Sequence, residues 1–212
     1  MYKGDIYLYK EDLSRAEEEY QKLLQMKEPA AHAWGLNRLA YVWLLQGKYE
    51  KAKNAWKQGV GLAEMVGQDS WIARFANGLE YVCLYSGDFD EALKYCQMAW
   101  ESAERAEYQE GQRLALYGRA RALIGTKSMD KAQSTADELK EMIDKGLFKK
   151  AIRYHHHLMG LLELEKKRYP QAIKYLESAL ALEAYGPLSK NAVFLDSLAL
   201  AHYQAGNLDK AA

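Results

Sequence analysis

At 212 residues, with 29 lysines plus arginines balanced by 29 aspartates plus glutamates, the chain has no bulk charge to draw it to nucleic acid or an anionic membrane. Apolar residues make up 49% and prolines number three, a composition that suits packed helices better than disordered tails. No window approaches the roughly 18 apolar residues of a membrane span, and the opening "MYKGDIYLYKED" lacks a signal peptide's apolar stretch, so a soluble, cytoplasmic segment is expected.

In chain order, one pattern returns six times. It appears as "KEDLSRAEEEY" (10–20), "QGKYEKAKNAW" (46–56), "SGDFDEALKYC" (86–96), "TKSMDKAQSTA" (126–136), "KKRYPQAIKYL" (166–176) and the final "AGNLDKAA". Each copy has a turn, an apolar or aromatic residue, two mostly polar residues and an alanine. The alanines are Ala16, Ala52, Ala92, Ala132, Ala172 and Ala211, at steps of 36, 40, 40, 40 and 39. Three positions before them stand Leu13, Tyr49, Phe89, Met129, Tyr169 and Leu208, and four after stand Tyr20, Trp56, Cys96, Ala136 and Leu176. These spacings share one helical face. Twelve before come the small residues Gly4, Ala40, Ala120, Gly160 and Ala199, a series that Glu80 breaks.

The pattern predicts a helix, a short turn and a second helix whose alanine sits close against the first. Gly47, Gly87 and Gly206 suit the residue that ends a helix, Asp88 and Asn207 the cap of the next, and Pro170 a first helical turn. Cys83 and Cys96 fall within apolar helical pattern, where buried free thiols are expected. One hairpin buries too little apolar surface to stand alone, so neighbours must stack.

The small residue, aromatic, alanine and aromatic at these offsets, with Pro29 closing the first unit, resemble the tetratricopeptide repeat. The match is clearest over 34–64 and 74–104, moderate over 154–184 and weaker over 114–144. The period is longer than the typical 34 or so and looks like the arrays of maltose-regulator-type activators and of kinesin light chain. The resemblance implies an all-α, right-handed superhelical solenoid of antiparallel helix pairs, with a concave groove that holds an extended peptide or a partner helix. The expected units are a partial repeat at 1–30, repeats at 31–69, 70–108, 109–148 and 149–187, and a partial repeat at 188–212.

The groove face is read from register. Fifteen residues before each alanine stand Asn37, Asn77, Tyr117, His157 and Asp196, and eleven before stand Tyr41, Tyr81, Arg121, Leu161 and Leu200. Asparagine offers a donor and an acceptor, so Asn37 and Asn77 are expected to clamp a peptide's main chain. Tyr41, Tyr81, Tyr85 and Tyr117 supply flat area with a polar tip, Arg38 and Arg121 a fork for a carboxylate, and His157 the far end of the strip. The subclass that grips chaperone tails is not matched: Asn37, Tyr41 and Gly78 stand where it would have lysine, asparagine and asparagine.

Other chemistry is poorly supported. In "RYHHHLMG" (153–160) consecutive side chains point about 100° apart, so His155, His156 and His157 do not converge on a metal. His156 is expected between helices and His157 at the groove. No phosphate loop, nucleophile elbow or metalloprotease spacing occurs. The expected function is therefore a non-catalytic protein-interaction scaffold without cofactor or metal, its partner a protein or peptide. The alternative is a ligand- or partner-sensing segment of a larger signalling or transcription-regulatory protein. Because both ends cut through a repeat, an excerpt of a longer array is expected, with self-association through its ends.

Overall fold

The computed structural model describes residues 3–182 and 191–211, and the regular structure among them is entirely helical. In chain order it comprises α1 (Lys3–Tyr9), α2 (Leu13–Gln21), α3 (Pro29–Leu45), α4 (Tyr49–Met65), α5 (Asp69–Ser86), α6 (Phe89–Arg105), α7 (Gln109–Gly125), α8 (Met129–Lys145), α9 (Ile152–Glu165), α10 (Tyr169–Leu180), α11 (Asn191–Gln204) and α12 (Leu208–Ala211). Short 3-10 turns, Lys22–Gln25 and Lys149–Ala151, follow α2 and lead into α9. The repeat boundary expected at 187/188 lies outside the described residues.

Packing divides the chain into two compact units that meet in sequence between Gly118 and Arg119, inside α7. In the first, α3 pairs with α4, α4 with α5, and α5 with α6; in the second, α8 pairs with α9, α9 with α10, and α10 with α11. The all-α class and the array of antiparallel helix pairs expected from the sequence are what the chain adopts.

The turns explain the period. At eight of them the chain makes the same helix-ending motif, an amide two or three residues past the helix bonding back to a carbonyl five residues earlier: Asp12 to Tyr7, Lys48 to Trp43, Gln68 to Ala63, Asp88 to Cys83, Tyr108 to Ala103, Ser128 to Leu123, Arg168 to Glu163 and Asn207 to His202, at 2.7–2.9 Å. The residue between is left-handed each time. Gly47, Gly67, Gly87 and Gly206 fill it with φ of 66–79°, whereas Glu11, Glu107, Lys127 and Lys167 fill it with φ of 50–60°. The turns between hairpins are thus built like those within them, so the backbone period is about 20 residues and the side-chain period twice that. Asp88 caps α6 by accepting from the amide of Glu91 at 3.2 Å, and Pro170 opens α10. Two described connections depart: after α2 the chain passes through the 3-10 turn to an extended Met26, and after α8 Gly146 is extended and Leu147 beyond it is 99% exposed.

The anchor alanines Ala16, Ala52, Ala92, Ala132 and Ala172 are all fully buried. The small residues twelve positions earlier let the helices close. A Cβ on Gly4 would come within 2.6 Å of the ring of Tyr20, four residues past Ala16. Glu80, which breaks that series, is 2% exposed, and Gly118 makes room for it, since a Cβ there would lie 2.3 Å from the Glu80 carboxyl carbon. A larger residue on α5 is thus matched by a smaller one on α7.

Side chains just after an anchor alanine tie one hairpin to the next. Glu17 accepts from Trp43 Nε1 at 2.8 Å and Gln46 Nε2 at 3.1 Å. Lys53 pairs with Glu91, which also accepts from the Cys83 thiol at 3.4 Å and the Tyr95 hydroxyl at 3.3 Å. The Lys53 ammonium, through its hydrogen bond, holds the Glu91 carboxyl down to about 2. Burial and the bond to Glu91 push the Cys83 thiol up to about 12. Cys83 and Cys96 are both buried free thiols. Among the described residues no helix is long and apolar enough to cross a membrane.

Candidate functional site

In the first unit, α3 and α5 are the first helices of consecutive hairpins, and their N-terminal halves leave a cleft of about 580 Å³. Trp34 and Asn37 of α3 line it with Trp71, Arg74 and Phe75 of α5, and the short side chains Ala30, Ala31 and Ala33 keep it open. Arg74 is held over the Tyr108 ring at 5.3 Å and donates to its hydroxyl at 2.9 Å.

Two amides, Asn37 in the cleft and Asn77 at the same register of α5, are polarised by the partners they already have. The Trp56 indole N–H is a donor only, and it gives its hydrogen bond to Asn37 Oδ1 at 3.1 Å. That fixes the amide: among the described residues the Asn37 Nδ2 donor has no partner. One repeat on, Asn77 Nδ2 donates to the Gly111 carbonyl at 3.3 Å, which fixes the opposite orientation and leaves Asn77 Oδ1 as a buried acceptor without a hydrogen bond. Asn37 therefore retains a donor and Asn77 an acceptor, where the sequence suggested that each would use both ends.

The rest of the expected strip is distributed as follows. Arg38 is 3.5 Å from Asp5 and stacks over Trp34 at 4.3 Å, so its guanidinium is engaged within the unit. Tyr41 meets Trp56 edge-on at 5.1 Å. Tyr81 and Tyr85 lie 4.9 Å apart with hydroxyls at 3.1 Å, and Tyr85 is 50% exposed. Asn37, though only 3% exposed, still lines the cleft, whereas two expectations need correction: Tyr117 and His157 are both fully buried and offer no groove surface. Arg121 is half-buried and, like His157, belongs to the second unit. Trp34, Trp71 and Arg74 were not anticipated, although Trp34 and Arg74 each stand 18 residues before an anchor alanine, one turn ahead of Asn37 and Asn77.

In the second unit the corresponding first helices are α9 and α11. His157 stacks on Phe194 at 4.4 Å, and its Nε2 lies 2.9 Å from Ser197 Oγ. That hydroxyl donates to the Val193 carbonyl at 2.9 Å, so His157 supplies the hydrogen from Nε2. Arg153, in the first turn of α9, is 9% exposed; it lies 4.8 Å from the Tyr154 ring and 6.0 Å from the Phe194 ring, and donates to the Tyr154 hydroxyl at 2.9 Å. His155 and His156 diverge, the latter stacking on Tyr175 of α10 at 6.4 Å, and burial lowers the pKa of both. Among the described residues no group of three or more histidine, cysteine, aspartate or glutamate side chains is arranged to hold a metal ion.

Comparison with curated proteins finds no match. Solved structures are similar at low identity. Aspartyl phosphate phosphatase F from Bacillus subtilis superposes with a TM-score of 0.76 at 15% identity, over 98% of this chain and 55% of that one. NprR in complex with its cognate peptide NprX gives 0.73 at 17%, over 97% and 60%, so this chain spans somewhat over half the length of both. A P. anserina putative kinesin light chain with nearly identical TPR-like repeats gives 0.64 at 14%, over 84% and 90%. At these identities the likeness is one of fold. The tetratricopeptide repeat model matches residues 3–56 and 157–212, just over half of the sequence, and these are stretches where the anchor alanines and their small partners recur. The chain belongs to the tetratricopeptide repeat family.

Proposed function

We propose that the chain is a non-catalytic interaction module that holds an extended peptide along α3 and α5 of its first unit. Trp34 and Trp71 take one peptide side chain in the cleft, while Asn37 and Asn77 take the main chain. Tyr41, Tyr81 and Tyr85 continue the face toward the C-terminal ends of the same helices. The observation that carries the reading is the pair of polarised amides. A peptide main chain alternates C=O and N–H, and Asn37 offers it a donor while Asn77 offers an acceptor. An unsatisfied acceptor such as Asn77 Oδ1 costs about 1–3 kcal/mol, which peptide binding would offset.

Selection of peptides from a random display library against the intact chain, with Trp34→Ala/Trp71→Ala protein as counter-target, tests it. The proposal expects enrichment of peptides that prefer the parent chain. Equal enrichment on the double variant would sink it. The sensing alternative is supported by the complex of NprR with NprX, in which a similar array is seen with a peptide. Under that reading the same face reports occupancy to the remainder of a larger protein. It predicts a change in hydrogen exchange beyond α3 and α5 when a selected peptide binds; protection confined to those two helices would exclude it.

A further inference from the structure

We propose that α9 and α11 of the second unit form an oxyanion site in which Arg153 receives a single carboxylate. The inference stands apart from the peptide face on α3 and α5 and rests on different residues. Arg153 lies 19 residues before Ala172, the register of Ala33 before Ala52; His157 stands in the register of Asn37, and Phe194 in that of Phe75. In the first unit, Ala33, Asn37 and Phe75 line the open cleft. In the second unit that register carries a guanidinium.

The guanidinium is incompletely compensated. Arg153 is 9% exposed, its Nη2 donates to the Tyr154 hydroxyl at 2.9 Å, and its Nη1 is buried with no hydrogen-bond partner. No carboxylate pairs with it among the described residues. Arginine does not shed its proton in a protein, so the charge persists where burial makes it costly. The basic side chains on either side of it in sequence have partners of their own: Lys149 donates to the Asp144 carbonyl and His157 to Ser197.

The forked guanidinium fits carboxylate and phosphate alike, but one buried positive charge is balanced by the single charge of a carboxylate and not by a phosphate dianion. The rings of Tyr154 and Phe194, 4.8 and 6.0 Å from the guanidinium carbon, suit a ligand with an apolar stem behind its carboxylate. A free organic acid and the carboxylate of a peptide both have this chemistry.

The test is thermal unfolding of the full chain at constant ionic strength with phenylacetate, the neutral phenylacetamide, inorganic phosphate, or N-acetylphenylalanine and its amide. Parent, Arg153→Gln and Arg153→Lys proteins are compared. Phenylacetate at saturating concentration is expected to raise the parent midpoint by several degrees through mass action, with phenylacetamide and phosphate inert. N-acetylphenylalanine acting more strongly than phenylacetate would identify a peptide source, and the reverse order a free acid; either supports the site. Arg153→Gln is expected to abolish the shift without lowering the unliganded midpoint, because it removes an unpaired buried charge. Arg153→Lys is expected to weaken binding at least about tenfold through loss of the fork. Absence of a shift in the parent protein, an equal shift with phenylacetamide, phosphate or Arg153→Gln, or an Arg153→Gln midpoint lowered by more than about 4 °C would each overturn the proposal.

Discussion

Replacing the non-glycine left-handed residues with glycine should stabilise the chain, and the turns supply their own control. Lys167 sits at φ 57°, Lys127 at φ 60° and Glu107 at φ 50°, in the same motif that Gly47, Gly67 and Gly87 complete with glycine. A left-handed L-residue costs roughly 1–2 kcal/mol; against this, glycine adds unfolded-state entropy worth about 0.5–1 kcal/mol. The net gain expected for Lys167→Gly is therefore about 0.5–1 kcal/mol, or 1–4 °C in midpoint for a chain of this size. Lys127→Gly should gain less, because Lys127 Nζ also bonds Glu165 at 2.5 Å, a surface pair worth about 0–1 kcal/mol. The converse change, Gly87→Ala at φ 76°, should cost about 1 kcal/mol. Denaturant midpoints of the three variants decide the matter. A destabilised Lys167→Gly, or a neutral Gly87→Ala, would refute the claim that these turns share one conformation.

Two further outcomes follow from packing. The Glu91 carboxyl, held down to about 2 chiefly by its bond to Lys53, contributes stability that is present above its ordinary value of 4.5 and is lost as pH falls toward 2. Glu91→Gln should therefore lower stability by about 2 kcal/mol near neutrality and flatten the acid limb between pH 4.5 and 2; an unchanged limb in a pH series of denaturation curves would remove the pair from the account. Gly118→Ala, a change that ordinarily favours a helix, should instead destabilise by about 1–3 kcal/mol, because the added Cβ would lie 2.3 Å from the Glu80 carboxyl carbon. A gain in midpoint would show that Glu80 moves aside.

The 40-residue spacing of the alanines made the helix pairs legible because one contact recurs: a small residue twelve positions back against a large one four positions on, as between Gly4 and Tyr20. The 20-residue period of the turns is hidden because it is a backbone property, adopted by Lys127 and Lys167, at some cost, as well as by Gly87. Register also placed Asn37 and Asn77 on one strip. Which end of each amide remains available depends on Trp56 in α4 and Gly111 in α7, residues that helical periodicity along one element does not reach. His157 and Tyr117 were misplaced for a related reason. A polar or aromatic residue at the groove register is exposed only where the next hairpin leaves space, and over His157 that hairpin brings Phe194 and Ser197. Arg153 carries no sequence signal beyond its register, which it shares with Arg113, another buried arginine, at a distance of 40 residues.

The central claim is that Asn37 and Asn77 hold a peptide main chain between a fixed donor and a fixed acceptor. Its most direct test is the Kd of one display-selected peptide for the parent chain and for Asn37→Asp/Asn77→Leu. Asp keeps the acceptor for Trp56 while removing the donor, and Leu removes the acceptor. With each hydrogen bond worth about 1–1.5 kcal/mol, the double variant should bind roughly 30- to 150-fold more weakly while remaining folded by circular dichroism. A folded double variant whose Kd stays within about twofold of the parent, less than 0.5 kcal/mol, would contradict the account.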